Sequence, residues 1–274
     1  MIVLVTGCRS GFGLRIARAA ARAGHTVYAG LRDLDTKDAL ERETEGLDVR
    51  PVALDVTRAD HREAAVARIL AEEGRLDALV NNAGVALAGF LEQVTLDELR
   101  RLFEVNVFGL WALTKACLPT MRSQRNGLIL NVSSMAARSP LPGVGAYAAS
   151  KWAVEGMTEV LRHELRPFGV RVVLLEPGPY ATDIFDRNRW TAEGARGGKG
   201  PYARYMRRVE QLVERTASRR GDPEDVAALA VKLLCEPRPA LRYALGPGVV
   251  PRLAIRKLLP FRLQEQVVAR VLGF

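Results

Sequence analysis

The chain has 274 residues, 48% hydrophobic and 26% charged, which suits one soluble α/β domain with a full core and excludes a low-complexity chain. Its net charge of +9 invites anionic partners. Yet no nucleic-acid motif accompanies it, and arginines such as Arg15, Arg18 and Arg22 fall at helical surface spacing, so nucleic-acid binding is not expected. Cys8, Cys117 and Cys235 are far apart and lack metal or CxxC spacing, which predicts free thiols in a reducing compartment. No apolar run approaches the length of a bilayer span, and the N-terminus enters a strand without a signal-like segment. A cytoplasmic protein is expected.

Ile2-Val3-Leu4-Val5 is expected to be a short buried strand. Thr6-Gly7-Cys8-Arg9-Ser10-Gly11-Phe12-Gly13 then opens a helix to about Ala23. Glycines at 7, 11 and 13 let the backbone turn tightly and approach a pyrophosphate resting on the helix N-terminus. A strand before and a helix after is the context that makes such a loop more than a turn. The next strand, 25–30, ends at Leu31-Arg32-Asp33, where a dinucleotide's adenosine ribose would lie. An acidic residue there bonds the 2′-hydroxyl of NAD, whereas an arginine accommodates the 2′-phosphate of NADP. Arg32 comes first and Arg9 adds a second cation, which favours NADP (NADPH) over NAD. Asp33 dissents, as a ribose ligand or as the cap of the following helix.

Val49 to Leu54 is the third expected strand, followed by Asp55-Val56, where the aspartate has a turn or N-cap role as its local alternative. A helix over 59–73 returns the chain to a fourth strand at 76–80. Asn81-Asn82-Ala83-Gly84 closes it, with amides able to brace the sheet edge and small residues that let a cofactor pass. Thr95 to Ser123 is expected as one long amphipathic helix, with Thr95 and Glu98 forming a capping box. Asn106 sits in its middle, against propensity.

Gly127 to Val132 then delivers Ser133 and Ser134 to a strand's carboxyl end, where open α/β sheets bind ligands. Tyr147 and Lys151 follow on an Ala-rich helix, four apart and therefore on one face. A cation beside a phenol favours the phenolate, so Lys151 is expected to lower the Tyr147 pKa from about 10. Val170 to Leu175 is a sixth strand that ends in Glu176-Pro177-Gly178-Pro179-Tyr180-Ala181-Thr182, with Pro179 able to alter the loop's path. Residues 183–221 are the least regular stretch. Trp190, Tyr202, Tyr205 and Met206 among glycines suit a mobile lid over an apolar substrate, or else an exposed insertion. Arg242 to Gly246 is a candidate last strand. The tail, 247–274, is a basic amphipathic helical extension expected to pack on the domain or on a second copy in preference to a membrane.

Together these motifs resemble the classical short-chain dehydrogenase/reductase family over roughly residues 1 to 245, nearest its hydroxysteroid and retinol dehydrogenase branch. The loop spacing matches that family's T-G-x-x-x-G-x-G, and Asn81 to Gly84 its N-N-A-G. The resemblance implies a single doubly wound Rossmann domain over 1–246 with a mainly parallel sheet. It implies Ser134, Tyr147 and Lys151 as the catalytic triad, with Ser134 acting in preference to Ser133, and Asn106 holding a water beside the lysine. Gly7, Arg9, Ser10, Gly11, Phe12, Gly13, Arg32, Asp55, Val56, Asn82, Ala83, Gly84, Pro177, Gly178 and Thr182, with Tyr147 and Lys151, would hold the cofactor. The implied activity is hydride transfer between NADP(H) and a small apolar carbonyl or alcohol, by a homodimer or homotetramer. An NAD-dependent enzyme and a non-catalytic cofactor-binding regulator on the same fold are the alternatives.

Overall fold

The computed structural model of the protein describes residues 1–182, 184, 188–217 and 220–273, with residues 215–217 described by backbone alone. In chain order the first half runs β1 (Ile2–Thr6), α1 (Gly11–Arg22), β2 (Thr26–Leu31), α2 (Asp38–Glu43), β3 (Val49–Ala53), α3 (Ala59–Glu73), β4 (Ala78–Asn81) and β5 (Ala86–Ala88). It continues with α4 (Leu96–Phe103), α5 (Leu110–Gln124), β6 (Gly127–Val132), α6 (Met135–Arg138), α7 (Gly145–Leu165), β7 (Val170–Pro177) and β8 (Arg189–Thr191). The C-terminal part holds α8 (Ala203–Ala217), α9 (Pro223–Cys235), β9 (Arg242–Leu245), α10 (Val249–Leu258) and α11 (Phe261–Leu272).

Seven strands form one sheet in the order β3-β2-β1-β4-β6-β7-β9, and all its pairs are parallel. Crossover helices cover both faces, so β1, β4 and β6 are buried along their whole length and are apolar nearly throughout. Alternate side chains feed two cores. Val3 and Val5 join α1 and α9 on one face, through residues such as Ile16, Val226 and Leu233. Ile2 and Leu4 join α3, α5 and α7 on the other, through Ile69, Leu113 and Leu161. The strand order reverses between β1 and β4, and the crevice at their carboxyl ends is where this architecture receives ligands.

A buried amide chain ties the centre of the sheet together. Asn81 Nδ2 donates to Thr114 Oγ1 (2.9 Å) and to Asn131 Oδ1 (2.8 Å), and Asn131 Nδ2 donates to Thr158 Oγ1 (2.9 Å). Each pairing satisfies a polar group that burial would otherwise leave costly.

Three expectations are corrected. The helix expected over 95–123 is interrupted: its capping box forms, but Glu104–Gly109 is a π-helical turn between α4 and α5. An extra residue in a turn leaves apolar spacing almost unchanged, so periodicity does not reveal it. Residues 183–221, expected to be irregular, carry β8 and α8. The first half of this stretch is pinned, because β8 pairs with β5, Ala192 N–H donates to Ala88 O (2.8 Å), and Phe90 stacks on Tyr202 at 4.7 Å. Residues 183, 185–187, 218 and 219 of the expected lid lie outside the described residues. β7 extends to Pro177, two residues beyond the expected strand.

Candidate active site

Thr6 ends β1, and its hydroxyl accepts the N–H groups of Asn82 and Ala83, each at 2.9 Å. Asn82 Nδ2 returns a bond to the Thr6 carbonyl (2.8 Å), so the loops after β1 and β4 are locked to each other. Gly7 has φ +71, a left-handed conformation, and any Cβ at Gly13 would sit inside the Gly7 carbonyl and the Asn82 amide. The sequence places glycine where the crossing leaves no room. Ser10 precedes α1 in extended conformation with no side-chain cap bond. The N-terminal amides of α1 therefore face an anion-ready crevice.

That crevice is a cavity of about 600 Å³. Gly7, Arg9, Ser10, Gly11 and Phe12 line it, as do Arg32, Asp55 and Val56. So do Asn82, Ala83 and Gly84, then Ser134, Tyr147, Lys151, Pro177, Gly178 and Thr182. Of the expected site residues, Gly13 lies behind the glycine loop. Asn106 is fully buried behind Gly84, whose Cβ position lies 3.2 Å from Asn106 Oδ1 and 3.5 Å from Lys151 Nζ.

At the adenosine end, the Asp33 side chain accepts Asp35 N–H (3.0 Å) and caps a 3₁₀ turn over Leu34–Thr36. Arg32 and Arg9 border the same end, and among the described residues neither guanidinium has a carboxylate partner. Asp55 accepts both the N–H and the hydroxyl of Thr57 (2.9 and 2.7 Å), which makes it a turn residue as well as a wall of the cavity.

At the other end, Ser134 caps α6 by accepting Ala136 N–H (3.1 Å), and its hydroxyl is hydrogen-bonded to that of Tyr147. Ser133 is buried, and its hydroxyl has no partner among the described residues. Lys151 Nζ donates to the Val132 carbonyl (2.9 Å) and lies 6.0 Å from the centre of the Tyr147 ring. The Asn106 carboxamide is fixed on both sides. It accepts Val85 N–H (2.9 Å) and donates to Val85 O (2.9 Å) and Ser150 Oγ (3.0 Å).

The expected lowering of the Tyr147 pKa is overturned. Burial pushes the phenol up to about 12, opposed by the Ser134 hydrogen bond. Burial also pulls Lys151 down to about 8, opposed by the charge of Glu155 one turn further along α7. A cation tunes a neighbour only to the degree that it is charged, and desolvation acts on both groups at once.

Several residues at the site were not anticipated. Arg101, Glu104 and Asn188 line it beside Trp190, which the expected lid included, with the Arg101 guanidinium 4.9 Å over the Trp190 ring. Glu155 and Glu176 are both buried around Arg242, which pairs with Glu155 Oε2 (3.0 Å) and Glu176 Oε1 (3.3 Å), while Arg138 holds Glu176 Oε2 (3.0 Å). Burial, and then Glu155, raise the Glu176 pKa. The i, i+4, i+8 spacing of Tyr147, Lys151 and Glu155 was the available signal. In the loop after β7 the Pro179 carbonyl accepts Gly221 N–H (3.0 Å), and Tyr180 is buried edge-on to Phe12 at 5.5 Å.

The short chain dehydrogenase family model matches residues 1–192. The chain is 36% identical over 249 residues to 3-ketodihydrosphingosine reductase of Bacteroides thetaiotaomicron, covering 90% of this chain and 88% of the relative. It is 35% identical over 266 residues to human 17-beta-hydroxysteroid dehydrogenase type 1, covering 93% and 80%. A crystal structure of a short-chain dehydrogenase from Streptomyces avermitilis superposes with a TM-score of 0.82 at 36% identity, covering 98% of this chain and 97% of that one.

Proposed function

The chain belongs to the short-chain dehydrogenase family, and from that premise we propose that it is an NADP(H)-dependent oxidoreductase acting on apolar, fairly bulky ketones or alcohols. The observation that carries this reading is the hydrogen-bonded Ser134–Tyr147 pair beside Lys151, at one end of a cavity whose other end is a glycine cradle. The cradle, the cavity volume and the free α1 amides fit a dinucleotide.

Gly7, Ser10, Gly11 and Phe12 would hold its pyrophosphate side, with Gly13 behind them letting the loop close on Asn82. Asp55, Val56, Asn82, Ala83 and Gly84 would flank the adenosine and riboses, and Pro177, Gly178 and Thr182 the nicotinamide. Arg9 and Arg32 favour a 2′-phosphate because they lack carboxylate partners among the described residues, whereas Asp33 is occupied as a cap. A bound nicotinamide supplies or accepts the hydride. The protein's own part is proton handling and orientation. Tyr147, held protonated by burial, gives its proton to a carbonyl oxygen, and Ser134 holds that oxygen by hydrogen bond. Lys151 would hold the ribose and keep a positive charge beneath the phenol. Asn106, rigidly tied to Val85, would support a proton path to the lysine.

Val85, Ile184 and Trp190 give the substrate end an apolar wall, and the keto-lipid and steroid named for the relatives point to the same class. A homodimer or homotetramer in the cytoplasm completes the proposal.

Initial rates with NADPH and NADH against steroid ketones, retinal and long-chain 3-keto compounds test it. The expected result is turnover with NADPH that Tyr147→Phe lowers by at least about 10²-fold, the scale of a lost proton donor. Arg32→Ala is expected to raise KM for NADPH and leave KM for NADH unchanged. Preference for NADH would overturn the cofactor assignment. Tight NADPH binding with no turnover on any of these substrates would favour the regulator.

A further inference from the structure

We propose that α10 and α11 form a docking platform for an anionic lipid surface. The platform stands on surface chemistry alone and holds whether or not the proposed reaction is correct.

The tail packs on its own domain through few side chains. Val249 and Leu253 are buried, with Val249 against Gly178, and Leu272 is buried where Arg208 of α8 donates to its carbonyl (2.7 Å). Gln264 caps the α10–α11 junction by donating to the carbonyls of Arg256 (2.9 Å) and Leu259 (2.8 Å). The opposite faces are left to solvent. On α10, Val250 and Leu258 stand eight residues apart on one face with Ile255 beside them, and Leu258 is 82% exposed. On α11, Leu263, Val267 and Val271 repeat every four residues as one stripe, and Phe261 at the helix start is 66% exposed. An exposed apolar surface of this kind marks an interaction site.

The charge accompanying these stripes selects the partner. Between residues 249 and 273 the chain carries Arg252, Arg256, Lys257, Arg262 and Arg270 against a single acid, Glu265. Arg252 is tied to Ser139 Oγ (3.0 Å), and the others have no carboxylate partner among the described residues. A two-fold contact with a second copy would set this cationic set opposite itself, with only Glu265 to offset the repulsion. A bilayer interface with anionic headgroups accepts both components at once, apolar side chains at the acyl boundary and guanidinium groups among the phosphates. No described helix is long and apolar enough to cross a membrane, so the contact is one of lying on the surface. Because Val249 touches Gly178 at the cavity wall, a docked protein would hold its cleft close to the lipid.

The test uses the full chain and a Leu258→Glu/Phe261→Glu variant, whose exposed positions leave the core untouched; matching thermal melts confirm that it folds. Each is floated with vesicles of phosphatidylglycerol and phosphatidylcholine in equal parts, and with phosphatidylcholine alone, at low and high salt. The expected result is flotation with the anionic vesicles at low salt, release at high salt, and at least a roughly tenfold weaker association of the variant. Absence of flotation, or equal flotation of the variant, overturns the proposal. So does a fall in the variant's sedimentation mass without vesicle binding by either protein, which would assign the surface to a second copy.

Discussion

Lys151 is a cation that the fold takes out of water. Its pKa falls from the usual 10.5 to about 8, so between those values the unfolded chain keeps a proton that the folded protein has shed. Stability contributed by this group therefore rises with pH from about 8 to 10.5, and at pH 7 its full cost, about 3 kcal/mol, is present. Lys151→Met is expected to raise the melting temperature of the ligand-free protein at pH 7, with the gap closing towards pH 10.5, while turnover is lost. Thermal melts at the two pH values check this, and a lower melting temperature at pH 7 would contradict it. The same ionisation bears on the reaction. Carbonyl reduction needs the Tyr147 proton, which the phenol keeps to about pH 12, so a fall in reduction above pH 8 is assigned to Lys151 losing its charge.

At the scale of elements, the loops after β1 and β4 act as one unit, joined through Thr6, Asn82 and the close approach at Gly13. Gly13→Ala drives a methyl into the Gly7 carbonyl and the Asn82 amide, and the loop must open to admit it. The expected outcome is a loss of NADPH affinity of at least tenfold, with a loss of stability of about 1–3 kcal/mol, as for other overpacked sites. Fluorescence titration and denaturant unfolding measure the two. Unchanged affinity would mean that the cradle does not hold the pyrophosphate. The π-helical turn belongs to the same scale. It lies where Asn106 binds the Val85 backbone through both ends of its carboxamide, so the widened turn and the fixed amide are one feature.

At the scale of the whole molecule, two groups of exposed apolar side chains among the described residues bear on association. One is the basic tail. The other includes α7, where Trp152 is 57% exposed and Val160 follows eight residues later on the same face, and the exposed Phe108 and Trp111 around the start of α5 add to the large apolar side chains left to solvent. Large aromatic side chains of this kind are enriched in interfaces between proteins. The proposed homo-oligomer is expected to close over this surface, and Trp152→Glu is then expected to shift the sedimentation mass down by at least half. No change in mass would place the contact elsewhere.

Resemblance to the family added Ser134 to Tyr147 and Lys151, and the sequence by itself determined the main alternation of strands and helices, the glycine loop, and the shared helix face of Tyr147 and Lys151. These depend on local spacing: a strand end, a turn, one helical repeat. The capping role of Thr95 was legible for the same reason, since a cap is made within three residues, whereas for Asp33 the cap was one of two open readings that the structure decided between. Only the tertiary structure decided what depends on groups distant in the chain. It showed the phenol and the lysine sharing one desolvated pocket, which reverses the expected shift of Tyr147. It brought Glu155, Glu176, Arg138 and Arg242 together from four separate elements. It turned residues 189–191 into a strand, because β5 was there to pair with. Burial and pairing are properties of the packed chain, and no spacing along the sequence contains them.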